Sequence, residues 1–334
     1  MFSGWSTALW ALVTLCGASP LASPPNTLSN TRTLTHIVHQ FDNGTWVENI
    51  ASRANGKLLV TLLDRPELYE IDPRNPNATR LVHNFSGYTS LFGVSETSQD
   101  VFAVAAGNFS SAEGPVAGSF AIWRVALDRQ GEVEVLKVTD IPDAVFLNGM
   151  TSLPAPSVDI LVGDSTHGVV YRVDIATGQY SVALRDETFL PPHNASLPIG
   201  INGIRIHDQH LYYSNTFRQL FGRIPLNTST GAALGPYEVI GTDFKIDDFA
   251  IDERNSTYAA AGFVNEVFKI TQRGKTRLVV GKTDSSSVLG ATSAALGRTW
   301  LDKDVLYITT SGGQASVLDG VSIEGGKVVA LFLN

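Results

Sequence analysis

The chain has 334 residues, 43% of them hydrophobic, enough to bury a large core as one large domain or two ordinary ones. A formal net charge of -8 and the lack of any basic run exclude a nucleic-acid backbone as partner, because such binding rests on clustered Lys and Arg.

The chain opens with MFSGWSTALWALVTLCGASPLAS, apolar from about Trp5 to Ala18 and then small. That stretch is too short to span a bilayer and reads as a signal peptide over 1–22, without the usual positive charge at its start. A Pro-rich linker follows over 23–33. Cys16 is the only cysteine and would leave with the leader, so the mature chain would have no disulfide and no thiol nucleophile. Asn-x-Ser/Thr sequons at Asn43, Asn77, Asn84, Asn108, Asn194, Asn227 and Asn255 predict a glycosylated, secreted protein with no membrane span.

Beyond residue 45 the chain breaks into short β-rich runs punctuated by Gly, Asn, Asp and Pro, with no sustained helical period. Six segments share one order of parts, each starting on a polar or aromatic residue at the head of a strand. These are Glu48, Phe92, Asn148, Asn202, Asp247 and Thr292, spaced by 44, 56, 54, 45 and 45 residues. Such spacing is that of propeller blades. The two long intervals contain insertions at 110–118 and 186–198. Second strands such as KLLVTLL (57–63) and VLYITTS (305–311) are apolar throughout, as strands covered on both faces must be. The sixth segment lacks a fourth strand, while THIVHQF (35–41) stands before the first and repeats TRLVHNF (79–85). The fold predicted is therefore an all-β, six-bladed propeller over 34–334 in which the N-terminal strand completes the last blade. Two β-sandwiches would explain neither the period nor the displaced strand.

Chain direction alternates within a blade, so the head of each first strand and the loop after each second strand share one face. Asn-Gly and Asp-Asp are also ordinary turn pairs, but four polar side chains in one register at one channel mouth mark a site. The facing loops bring Phe109, Phe217, Phe221 and Phe263 beside Arg65, His167, Arg218, Asn215 and Asn265. Aromatic walls with a few polar groups describe a small-molecule pocket.

Blade count, closing strand and the set Glu48, Asn148, Asn202 and Asp247 resemble the SMP-30/gluconolactonase-like propellers. That resemblance implies a divalent cation on Glu48, Asn202 and Asp247 with Asn148 nearby, and Asn49 leaves the register of Glu48 open by one. All-oxygen ligands suit Ca²⁺ or Mg²⁺ better than Zn²⁺. ENIASRANGKLLV replaces that family's Glu-x-Pro-x-Trp opening. The longer phrase NGTWVENIASRANGKLLVTLLDRPELYEIDP is similar to secreted propellers of filamentous-fungal metabolite clusters. Some of these are hetero-Diels-Alderases that join a quinone-methide diene of tropolone type to a humulene-like sesquiterpene alkene. This closer likeness implies apolar polyketide and terpenoid substrates, no cofactor, and Glu48 or Asp247 acting with His167 or Arg218 as acid and base. It places Asn49, Phe92, Phe109, Asn148, Asn202, Asn215, Phe217, Phe263 and Asn265 around the substrate. A metal-dependent lactonase and a non-catalytic small-molecule-binding propeller fit the same fold.

Overall fold

The structure is a computed structural model that describes residues 34–128, 130–195, 198–243, 245–315 and 323–333. The leader and linker read at 1–33 lie outside the described residues.

Six four-stranded antiparallel sheets follow one another along the chain. Their innermost strands are Val47–Ser52, Ser90–Ser98, Leu147–Ser152, Ile201–His207, Phe249–Ile251 and Ala291–Leu296. Each of these touches the innermost strand of both neighbouring blades, which closes the ring around a central channel. Closure is made as the displaced strand predicts: Thr35–Gln40 pairs antiparallel with Lys327–Phe332, from Thr35 opposite Leu331 to Gln40 opposite Lys327.

The core is divided among the six blade interfaces. Second strands such as Leu58–Leu62, Thr257–Ala261 and Val305–Thr310 are buried at every residue. Each apolar cluster joins neighbouring blades; Leu59, Phe85, Phe102 and Val104, for example, bind the first blade to the second. A fully buried side chain of this size contributes roughly 1.5–3 kcal/mol relative to exposure.

The centre of the ring is packed too tightly for side chains at some positions. A Cβ on Gly149 would lie 2.1 Å from the Asn202 carbonyl oxygen, and one on Gly203 would lie 2.3 Å from Asp248 Oδ1. The two Asn-Gly pairs therefore sit inside strands and not in turns, their glycines allowing adjacent blades to meet. The ladder also slips at the mouth, between Val47 and Asn49, Leu91 and Val94, Leu147 and Met150, Ile201 and Ile204, and Ala291 and Ala294. Bulges of this kind re-aim side chains, and here they fall at the head of five of the six blades.

The insertion at 110–118 belongs to a small hairpin pairing Phe109–Ser110 with Gly114–Pro115. In the other, a single helical turn, Glu187–Phe189, buries Phe189 against Tyr213 and Tyr237. Among the described residues no helix is long and apolar enough to cross a membrane.

Candidate active site at the channel mouth

Glu48 and Asp247 lie at the mouth on blades one and five. Trp46 Nε1 donates to Glu48 Oε2 at 2.7 Å. Asn202 Nδ2 donates to Asp247 Oδ1 at 2.7 Å and to Thr216 Oγ1 at 2.9 Å, while that hydroxyl donates to the Ile246 carbonyl at 2.8 Å. The threonine thereby fixes which end of the Asn202 amide faces Asp247 and leaves Asn202 Oδ1 buried without a partner. Asn148 is 4% exposed, and no hydrogen bond to its side chain is formed among the described residues.

Burial pushes the Glu48 carboxyl up to about 7; the Trp46 indole opposes this and the Asp248 charge adds to it. Burial also holds Asp247 well above the usual carboxylate range, and the charges of Glu48 and Asp248 push it further. Desolvation penalises the charged form of a carboxyl, and a second carboxylate nearby penalises it again. Both carboxyls are therefore held protonated above the usual carboxylate range. Asp248 stands one residue deeper, where its Oδ2 accepts from Arg205 Nη2 (2.7 Å), Asn49 Nδ2 (3.0 Å) and Ser293 Oγ (3.0 Å).

Several residues expected at the substrate are committed elsewhere. Asn49 points into the channel, with its amide on Asp248 and its Oδ1 accepting from the Ile50 backbone at 2.9 Å. Phe92 is fully buried beneath Phe109, Phe120 and Phe146 and supports the wall without lining it. Asn215 is a loop staple, donating to the Thr188 and Leu190 carbonyls at 2.8 and 2.9 Å. Asn265 is another, donating through Nδ2 to the Thr283 carbonyl at 2.9 Å and accepting at Oδ1 from the Gly290 backbone at 2.8 Å. Arg218 donates through Nε to Leu190 O at 2.8 Å and faces Glu187, so its guanidinium anchors the 186–198 insertion and is not a free acid. His167 is half exposed, and the carboxylate beside its Nδ1 is that of Asp164, 3.4 Å away, not Glu48 or Asp247.

The aromatic residues form two groups. Phe109 stacks on Phe146 and lines a cavity of about 260 Å³ with Trp46, Asp64 and Gln314. This cavity meets the acid pair through Trp46. Phe217 and Phe263 meet edge to face, with centroids 5.7 Å apart, and Lys245 Nζ lies 5.7 and 5.1 Å from their ring centres. A larger cavity opens at the opposite end of the channel.

Sequence reasoning missed Trp46, Lys245 and Asp248. The first two stand two residues before Glu48 and Asp247, the spacing that puts strand side chains on one side. The twin aspartates Asp247-Asp248 were the available signal for the third.

A ring of six four-stranded blades defines a β-propeller, here with carboxyls and aromatic rings at its channel mouth. No protein-family model matches the chain. A Phoma sp protein named "Putative hetero-Diels-Alderase" is 31% identical over 303 residues, covering 82% of this chain and 85% of the relative. A Sarocladium schorii protein, "Putative hetero-Diels-Alderase asR5", is 26% identical over 311 residues, covering 82% and 77%. The chain belongs to this hetero-Diels-Alderase family. Among solved structures, a luciferin-regenerating enzyme superposes with a TM-score of 0.65 at 14% identity, covering 90% of this chain and 95% of the other. A gluconolactonase from Xanthomonas campestris gives 0.61 at 15%, covering 90% and 89%; both share the fold alone.

Proposed function

We propose that this protein is a hetero-Diels-Alderase that joins a quinone-methide diene of tropolone type to a humulene-like sesquiterpene alkene. The observation that carries the reading is the desolvated pair Glu48 and Asp247 beside aromatic walls on one face.

A carboxylic acid kept neutral near pH 7 is a hydrogen-bond donor. Glu48 Oε2 is occupied by Trp46 and Asp247 Oδ1 by Asn202, which leaves the other oxygen of each for the substrate. In a dehydration that forms the diene, the protonated carboxyl gives its proton to the leaving hydroxyl as the C–O bond breaks. The ionised carboxyl takes a proton from the ring hydroxyl. One water leaves and the pair keeps its single proton. Such acid–base work contributes typically about 10²–10⁴-fold. The cycloaddition then forms its C–C and C–O bonds without proton transfer, and the walls act by orienting two apolar partners, worth on the order of 7–11 kcal/mol when complete. Lys245 on its ring pair supplies a positive charge for the diene oxygen.

The unpartnered Asn202 Oδ1 favours a second reading, a cation-dependent lactonase. Glu48, Asp247 and Asn202, with Asn148, would hold Ca²⁺ through oxygen alone, and the ion would polarise a carbonyl. Among the described residues no three His, Cys, Asp or Glu side chains are grouped for a metal, so such a site would depend on the amides.

The test measures product and enantiomeric excess with a quinone-methide precursor and a cyclic terpene alkene, beside a panel of sugar and aryl lactones, with and without chelator. A hetero-Diels-Alderase stays active in chelator and loses about a hundredfold in rate, or its chirality, in Phe217→Ala or Phe263→Ala. Asp247→Asn slows formation of the diene more than addition to a preformed one. Ca²⁺-dependent lactone turnover, with no acceleration of the cycloaddition, would refute the proposal. The leader and sequons support passage of this enzyme through the secretory pathway to the outside of a fungal cell.

A further inference from the structure

The acidic balance of the whole chain hides a local reversal on blade five. Arg254, Lys269, Arg273, Lys275 and Arg277 fall between residues 254 and 277, a stretch whose one carboxylate is Glu266. Glu266 heads the strand Glu266–Ile270 at the end nearer the acid pair, and the cations gather at the other end. The topology brings them together. One turn, at 252–256, joins Phe249–Ile251 to Thr257–Ala261, and a second, at 271–275, joins Glu266–Ile270 to Thr276–Gly281, both on the face opposite the acid pair. Thr257 pairs with Ile270 and Ile270 with Thr276, so the two turns stand side by side at the end of one sheet, where neighbouring strands are roughly 5 Å apart.

These turns wall a cleft of about 370 Å³, lined by Arg254 and Ser256 from the first and by Thr271, Gln272, Arg273 and Lys275 from the second. Three cations line it and no carboxylate does. Arg254, Arg273 and Lys275 are all exposed to solvent, and none forms an ion pair among the described residues. The acids nearby are engaged elsewhere. Asp252 accepts from the Arg254 and Ser256 backbone amides at 2.9 and 2.8 Å and from the Tyr258 hydroxyl at 3.2 Å, with Lys269 Nζ 4.0 Å away. Asp208 accepts from Asn255 Nδ2 at 2.9 Å. Glu253 is exposed and does not line the cleft.

Like charges set side by side on a sheet repel one another, and an anion between them turns that repulsion into attraction. Two guanidiniums offer planar forks that match the oxygens of a tetrahedral oxyanion, and the lysine adds a point charge. Thr271 Oγ1 accepts from the Lys275 backbone at 3.1 Å and keeps its own proton for a ligand. The net charge of -8 belongs to the whole chain and is screened beyond about 8 Å at physiological salt. A cleft two turns wide suits one compact oxyanion and not the run of phosphates along a nucleic acid.

We propose that the paired turns of blade five bind a doubly charged phosphate group, free or carried as a monoester, between Arg254, Arg273 and Lys275, at a site separate from the acid pair.

The test is a titration of the full chain with inorganic phosphate and, in parallel, with glucose 6-phosphate, followed by calorimetry and phosphorus NMR at about pH 8, where the group carries both charges. Each should bind with a Kd on the order of 1 mM at low salt and about tenfold more weakly in about 0.2 M salt. The tighter of the two identifies the free ion or the monoester as the natural form. Replacing two cations together, Arg273→Gln with Lys275→Gln, should weaken both ligands at least about tenfold. Lys282→Gln removes a positive charge that is paired with Asp284 elsewhere on the same blade, and should leave binding intact. Because the double substitution relieves a repulsion on the surface, its melting temperature without phosphate should hold or rise, and added phosphate should raise that of the native protein alone. Product formation at the acid pair should be unchanged in the double variant. Three results would overturn the proposal: no binding of either ligand at about 10 mM in low salt, binding that the double variant leaves intact, or an equal loss in Lys282→Gln.

Discussion

Glu48 has a neutral form that outlasts its ordinary range, and this gives the stability of the fold a pH dependence. The unfolded chain releases the proton near 4.5, the folded chain near 7. Between these values the folded state binds more protons, so stability falls as pH rises through that window, by on the order of 3 kcal/mol. Asp247, raised by the same causes, adds a loss of the same sign. In Glu48→Gln the Glu48 part of the slope should vanish, as urea unfolding between pH 4 and 8 would show; an unchanged slope would refute the desolvated-acid account. The rate of diene formation should fall above about pH 7 in the native protein, since the acid is lost there. Lys245→Met should lower the rate about tenfold at fixed pH and Lys245→Arg restore most of it, because an ammonium on two rings is worth about 1 kcal/mol or more. At this scale the sequence was only partly legible. Position in the repeat told which residue heads each blade, and so placed Glu48, Asn202 and Asp247. It could not tell which side chains the loops would recruit for themselves. Asn215, Asn265 and Arg218 close their own turns with carbonyls far along the chain, and Phe92 disappears under an insertion.

The strand Thr35–Gln40 covers the edge of the last blade and buries Val38 against the first. Deleting residues 34–41 should expose Lys327–Phe332 as an open edge, lower the melting temperature sharply and cause self-association. Calorimetry and light scattering would measure both, and a truncation that melts as the full chain does would sink the closure. The ring was readable because repetition multiplies weak local signals: TRLVHNF explains THIVHQF, and buried second strands recur at one interval. The bulges were not readable, since a ladder slip depends on how two strands meet at the centre. Nor did the sequence say why Asn148 and Asn202 are each followed by glycine inside a strand: the glycine answers to a neighbouring blade, not to its own chain.

Across the whole molecule the sequons differ in their freedom. Asn43, Asn77, Asn84 and Asn194 are exposed, whereas Asn255 is half-buried and its amide donates to Asp208 at 2.9 Å. Expression in a eukaryotic host should give a protein whose mass falls on N-glycosidase treatment, with peptide mapping finding glycan at the exposed four and least at Asn255. A mass that does not change would refute the secretory reading. Ring closure also imposes an order on assembly. Thr35 meets Leu331, 296 residues further on, so the first strand to leave a ribosome waits for the last. Contacts this distant are slow to form, because loop-closure entropy must be met before they stabilise anything. Until then both the waiting strand and the final blade offer bare edges to other chains. The molecule is thus most at risk of misassociation in the interval between its nearly finished synthesis and the joining of its ends.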